Sequence, residues 1–75
     1  MRKITIGGLY QHFKGGIYRV SDIATHTETG EQLVIYMNMD TRLVYARPYK
    51  MFISKVDKIK YPEATQEYRF EKLSY

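Results

Sequence analysis

Short runs of apolar and β-branched residues, separated by turn-forming residues, make up most of this chain. Residues 17–25 and 33–39 are rich in β-branched and aromatic side chains, and glycine or polar residues bound each run. Such runs are typical of short β-strands. Between them lies THTETGEQ, in which Gly30 can adopt a positive φ, so we expect a β-hairpin.

The stretch LYQHFKGGIYRV predicts another hairpin near the N-terminus. Residues 10–13 would form its incoming strand and residues 17–20 its outgoing strand. The Gly15-Gly16 pair favours a tight turn of the primed type, which needs positive φ. Further along, Asn38 and Asp40 favour a turn before a strand over residues 43–47. Pro48 should end that strand, because it cannot donate a ladder hydrogen bond.

The second half of the chain gives a weaker pattern. Residues 48–52 predict one short helical turn that folds Met51 and Phe52 onto a core shared with Phe13. Residues 53–59 predict an edge or bulged strand, since neither of its faces is cleanly apolar. For residues 62–73 two interpretations remain: a helix that starts at Pro62, or a turn over 62–66 followed by a strand, which we favour.

Many short strands joined by tight turns indicate a mostly β fold. We expect a small curled antiparallel sheet, an SH3-like barrel with one helical turn at residues 48–52. Closing the sheet would hide edges that a short chain could not otherwise protect. With 75 residues, the chain is expected to form a single small β-barrel domain over residues 1–75.

Composition narrows the class of protein. Hydrophobic residues make up 44% of the chain and charged residues 27%, which is typical of a globular domain. No apolar run approaches the roughly 18 residues of a membrane span, and the N-terminus lacks the apolar segment of a signal peptide. Cysteine is absent, which excludes disulfides and thiolate metal sites. We therefore expect a cytoplasmic protein without membrane association.

The net charge of +4 is a mild basic bias that would help to attract anions. Lys55, Lys58 and Lys60 are interrupted by Asp57 and followed by Glu63, so the sequence shows no continuous basic stripe. Binding of nucleic acid therefore ranks below binding of a more general anionic ligand or peptide.

Two histidines are the main candidates for chemistry. His26 lies close to Glu28 in sequence, and a carboxylate beside an imidazole is half of a general-base arrangement. No serine or cysteine nucleophile occupies a recognisable elbow, and the spacing of the histidines and carboxylates matches no recurrent zinc pattern. We expect no metal and no cofactor.

Eight tyrosines can serve the core or a binding surface. Tyr18 and Tyr36 suit the core, where they supply bulk with a polar tip. Tyr10 and Tyr45 could instead form an aromatic groove beside Arg47, whose guanidinium can present a fork to an anion.

Several short motifs occur in a fixed order along the chain: Gly8-x-Tyr10-x-His12-Phe13-Lys14-Gly15, Tyr18-x-Val20, Ile23-Ala24-x-His26-x-Glu28-Thr29, Leu33-Val34-x-Tyr36, Arg47-Pro48-x-x-Met51-Phe52 and Arg69-Phe70. Together they resemble a family of small bacterial proteins, domain of unknown function 1653. Members often carry tryptophan where this chain has Tyr45, and Gly-Asn or a similar turn where it has Gly15-Gly16. The resemblance implies a compact, mostly β domain and assigns no activity.

The sequence thus favours a non-enzymatic binding module with one shallow polar and aromatic cleft. The ligand-binding residues would be Tyr10, His12, Lys14, His26, Glu28, Tyr45 and Arg47. Two alternatives remain open: a small enzyme that uses His26 and Glu28, and a structural or partner-binding protein, monomeric or weakly dimeric through a strand near the C-terminus.

Overall fold

The fold is one antiparallel sheet with one short helix. The computed structural model describes residues 3–73. Its elements are β1 Leu9–His12, β2 Ile17–Thr25, β3 Gln32–Asn38, β4 Val44–Pro48, α1 Tyr49–Phe52 and β5 Phe70–Lys72. The strands are ordered β4-β3-β2-β1-β5, and each neighbouring pair is antiparallel. The mostly β prediction is confirmed, and the helical turn expected over residues 48–52 is present as α1, which begins one residue later because Pro48 is the last residue of β4.

The sheet is not closed into a barrel, so the prediction of a closed barrel is wrong. In the described residues no ladder joins the two edge strands β4 and β5. Side chains bridge the gap instead: Phe52 of α1 stacks on Phe70 of β5, with ring centroids 4.1 Å apart and planes 4° from parallel. With only three residues, β5 is too short to pair along the whole of β4. A specific likeness to SH3 domains stays a prediction.

The core lies on one face of the sheet, under α1. Its buried members are Tyr10, Val20, Val34, Tyr36, Phe52 and Phe70. Phe52 contacts the rings of both Tyr10 and Tyr36 edge to face, each at 5.4 Å. Aromatic rings thus supply most of the volume of this small core.

The turn of the first hairpin differs from the expected primed turn. The Gly15 N–H donates to the His12 carbonyl at 2.8 Å, which places Phe13 and Lys14 at the two central positions. Neither of these residues has a positive φ, whereas Gly15 and Gly16 have φ of 104° and 94°. This is the longer hairpin loop in which a type I turn precedes a residue with positive φ. It puts an aromatic and a basic side chain at the hairpin tip.

The second hairpin is confirmed within one residue. Strand β2 has the expected bounds and β3 begins one residue early. Gly30 has φ of 76°, as its position required. The preferred interpretation of the tail is also confirmed, because residues 70–72 form β5 rather than a helix.

The prediction of a strand over residues 53–59 is wrong. Only Lys55 forms an isolated bridge, to Tyr68. The Asp57 carboxylate accepts the N–H groups of Ile59 and Lys60, at 3.0 and 3.2 Å, and this turn ends any extended segment. Met51, expected in the core, is 47% exposed, because α1 turns only one side toward the sheet.

Candidate functional site

Strand β2 separates the two histidines. Gln11 of β1 is paired with Ile17 at the start of β2, and His26 follows the last residue of that strand. At about 3.3 Å per residue, β2 alone spans about 30 Å. The cleft expected from the sequence is therefore divided, with His12 near one end of the sheet and His26 and Glu28 near the other.

His26 and Glu28 build a turn. The Nδ1 atom of His26 accepts the Glu28 backbone N–H at 3.2 Å, and the His26 carbonyl accepts the Gly30 N–H at 2.8 Å. The hydrogen bond between the two candidate residues thus uses the amide of Glu28 and not its carboxylate. A turn of this kind needs an acceptor on the side chain and no reacting group.

His12 makes the same local bond in a different environment. Its Nδ1 atom accepts the Lys14 N–H at 3.1 Å, so in the neutral ring the proton is on Nε2. The imidazole also contacts Phe13 and Phe70, with ring centroids 4.8 Å away in each case. It is therefore a fixed, half-buried hydrogen-bond donor in an aromatic environment.

Burial and nearby cations keep His12 neutral. They lower the pKa of its imidazole from 6.5 to about 4. Desolvation is the largest cause, followed by the positive charges of Arg47, Arg69 and Lys14. Each of these cations makes a further positive charge on the imidazole less favourable.

Arg47 is anchored on one side and open on the other. Its Nε atom donates to the Tyr36 hydroxyl at 3.0 Å, and the guanidinium carbon lies 5.6 Å from the centre of the Phe70 ring. Within residues 3–73 its two Nη groups have no hydrogen-bond partner. Beside it on β4, Tyr45 is 41% exposed. The free edge of a held guanidinium suits a phosphate or carboxylate.

Tyr10 is not a wall of this surface. It is 2% exposed and belongs to the core, and its hydroxyl accepts the Thr5 N–H at 2.8 Å. The buried hydroxyl is therefore satisfied within the protein.

Lys14 meets a loop that the sequence did not point to. Its Nζ atom lies 4.7 Å from the centre of the Tyr61 ring, and Lys60 Nζ lies 5.4 Å from the same centre. Lys14, as hydrogen-bond donor and as a charge, lowers the pKa of the Tyr61 hydroxyl, and Lys60 lowers it further, while burial acts in the opposite direction. A depression of about 350 Å³ lies here, lined by Phe13, Lys14, Lys60, Tyr61, Pro62, Glu63 and Ala64.

Five rings form a continuous row across this end of the molecule, from β4 to the loop over residues 57–64. Successive centroids are 6.4, 6.3, 4.8 and 5.0 Å apart. The cation Arg69 joins the row, since its guanidinium lies 6.0 Å from the Phe13 ring and its Nε donates to Ser54 Oγ. We call this set the aromatic–basic face; its rings are Tyr45, Tyr18, His12, Phe13 and Tyr61, and its cations are Arg47, Arg69, Lys14 and Lys60.

In the described part of the chain no carboxylate forms an ion pair with these cations, although Glu63 lines the same depression as Lys14 and Lys60. Within residues 3–73 the one ion pair joins Lys55 to Glu67 at 3.5 Å, and neither residue is a member of the face. Cations that lie over rings without an acidic partner keep their capacity for an external anion.

Sequence reasoning misses five members of this face. The sequence places Phe13 and Tyr18 in the core, Arg69 in a motif, Lys60 among scattered lysines and Tyr61 in the tail; the structure leaves Phe13 outside the buried core cluster. The available signal was local: Asp57 followed by a Tyr-Pro pair indicates a turn, and a turn can bring its last residues against another hairpin.

A second depression lies beside α1, whose Tyr49 and Lys50 line it. Its volume is about 760 Å³, and its lining is mixed: Lys3, Ile4, Ile23, Glu31, Gln32, Tyr49, Lys50 and Ile53. Neither His26 nor Glu28 lines either depression. In residues 3–73 no group of three histidine or acidic side chains is placed to hold a metal ion, and no helix there has the length and apolar character of a membrane span.

A family model matches the motifs that build this face. No curated protein and no solved structure matches the chain. The model described as "Protein of unknown function (DUF1653)" matches residues 8–72, a range that includes every ring and cation of the aromatic–basic face. The chain belongs to the DUF1653 family.

Proposed function

We propose that the protein is a non-enzymatic binding module and that its aromatic–basic face binds an anionic ligand. The observation that carries the proposal is the group of three cations around His12, namely Arg47, Arg69 and Lys14, with no carboxylate partner in residues 3–73. Holding like charges together costs free energy, and a bound anion would offset that cost.

The geometry supports specific binding of an anion and not only its electrostatic attraction to the surface. Arg47 and Arg69 are each held by one hydrogen bond from Nε, to Tyr36 and to Ser54, so their guanidinium groups are oriented before a ligand arrives. Preorganised donors lose less entropy on binding than mobile ones. The neutral imidazole of His12 adds an Nε2–H donor between them.

The proposed site keeps four of the residues expected from the sequence: His12, Lys14, Tyr45 and Arg47. It leaves out Tyr10, which is buried, and His26 and Glu28, which lie at the other end of β2.

Calorimetric titration with tripolyphosphate at low ionic strength tests the proposal. We expect saturable binding that weakens with added salt, because exposed charges are screened. The double variant Lys14→Gln/Lys60→Gln should weaken binding about tenfold or more, since it removes two charged donors of the face.

The matched control removes the same charge elsewhere. Lys3 and Lys50 are exposed and line the other depression, so Lys3→Gln/Lys50→Gln should bind nearly as the parent does. Equal losses in the two double variants would mean that only net charge matters and would overturn the assigned site. No binding by the parent chain would overturn the proposed function.

A further inference from the structure

The aromatic–basic face combines flat rings with cations in a way that one class of anion uses fully. Phosphate or carboxylate groups alone would bind the cations and make no contact with the aromatic rings. Single-stranded nucleic acid carries both a charged backbone and unpaired bases with open faces, and the proteins that bind it pair aromatic platforms with a basic groove.

The ring spacing gives such a chain a path. From Tyr45 to Tyr61 each ring contacts the next, at centroid distances between 4.8 and 6.4 Å. The row crosses β4, β2, β1 and the loop over residues 57–64, so it runs across the strands rather than along one of them. A flexible chain can follow that direction and place bases on those rings of the row that are open to solvent.

The two ends of the row are its open platforms. Tyr45 is 41% exposed, and Tyr61 lines the depression that also contains Lys14 and Lys60. The cation–π contacts of exposed lysines are weak, so either lysine can leave the Tyr61 ring and follow a phosphate. Of the middle rings, Tyr18 and His12 pack against Phe70, and Phe13 packs against His12, so they form a support for the two ends.

From this arrangement we infer that the ligand of the aromatic–basic face is single-stranded nucleic acid, with bases stacked on Tyr45 and Tyr61 and phosphates bound by Arg47, Lys14, Lys60 and Arg69. The inference rests on the proposed function, because it names the ligand class of that same site. Arg47 beside Tyr45 and Lys14 beside Tyr61 place a cation next to each platform, so one nucleotide can use both.

Fluorescence anisotropy with an oligothymidylate of about eight nucleotides, a length that one small β domain can cover, tests the inference. The comparison ligand is an abasic sugar–phosphate chain of the same length, which has the same charge and no bases. We expect the oligothymidylate to bind at least about tenfold more tightly than the abasic chain, because each stacked base adds to the affinity. A duplex of the same length hides its base faces and should behave like the abasic chain.

Matched substitutions separate the effect of the aromatic ring from the effect of side-chain size. Tyr45→Leu and Tyr61→Leu should each weaken oligothymidylate binding about five- to tenfold and leave abasic-chain binding unchanged, because base stacking needs a flat ring. Tyr45→Phe and Tyr61→Phe keep the ring and should bind as the parent does.

The failures are distinguishable. If the abasic chain binds as tightly as the oligothymidylate and the leucine variants change nothing, stacking is wrong while anion binding stands. If polyglutamate binds more tightly than the oligothymidylate, the ligand is an acidic peptide and the inference is overturned. If none of these ligands binds at low salt, both the inference and the proposed function fall.

Discussion

The two histidines make the same local hydrogen bond and differ in everything around it. In each, Nδ1 accepts the backbone N–H of the residue two positions later, Lys14 for His12 and Glu28 for His26. The ring of His12 packs against aromatic rings and lies among cations, whereas in residues 3–73 that of His26 has no aromatic ring contact. A short sequence motif therefore does not separate a turn residue from a site residue; the long-range neighbours do.

The largest expected effect concerns Phe52, which stacks on Phe70, the ring that packs against His12. Phe52→Ala removes a side chain that is 1% exposed and stacked on Phe70. We expect a loss of about 3–5 kcal/mol in the free energy of unfolding, from lost burial and from the cavity left behind. Denaturant unfolding followed by circular dichroism measures it.

Ile59→Ala is the control for Phe52→Ala, since Ile59 is 95% exposed. It should change the free energy of unfolding by less than about 0.5 kcal/mol. A small loss in Phe52→Ala, comparable to that of the control, would show that α1 is not what completes the core.

The second prediction concerns pH. The pKa of His12 is 6.5 when unfolded and about 4 when folded, so between these values the unfolded chain binds a proton that the folded chain does not. The contribution of His12 to the free energy of unfolding is therefore fully present above pH 6.5 and is lost as the pH drops toward 4. After allowance for solvent screening, we expect a loss of about 1–2 kcal/mol over this window.

His12→Asn supplies the control for this slope, because asparagine keeps an acceptor for the Lys14 N–H and has no proton to bind. The variant should unfold with a flatter pH dependence between pH 6.5 and 4. Parallel slopes in the parent and the variant would assign the pH dependence to other groups.

The sequence predicted local structure better than it predicted the site. Alternation and glycine placement were enough for the second hairpin and for the late strand. Which residues share a surface depends on strand order and on register: Arg47 of β4 and His12 of β1 are neighbours because both lie against the ring of Phe70. No local pattern contains that information.

The wrong prediction of a strand over residues 53–59 also shows that local propensity does not determine the site. Propensity favoured an extended segment there, but one carboxylate, that of Asp57, satisfies two backbone N–H groups and turns the chain. That turn delivers Lys60 and Tyr61 to the site, so the error in the fold and the omission in the site have one cause.

A smaller effect is expected when one cation is removed from around His12. Arg47→Gln should raise the pKa of His12 toward 6.5 without reaching it, because desolvation is the larger cause of the shift. An NMR titration of the imidazole C–H signals measures this pKa. Lys50→Gln, at an exposed lysine that is not among the causes of the shift, should leave it unchanged; an equal rise in both variants would contradict the local origin of the shift.

The smallest effect is expected at the other histidine. His26→Ala removes the acceptor of the Glu28 N–H in an exposed turn and should cost about 0.5–1 kcal/mol. His26→Asn should recover most of that loss, and both variants should bind tripolyphosphate as the parent does. Weaker binding in either variant would return His26 to the candidate site.

The central claim is that the binding chemistry lies at the His12 end of the sheet and not at the His26 end. A titration of isotopically labelled protein with tripolyphosphate, followed by backbone amide chemical shifts, tests it most directly. The account predicts that the amides of Lys14, Arg47 and Arg69 shift together with one affinity, while those of residues 26–30 stay in place. Saturable shifts confined to residues 26–30 would contradict it.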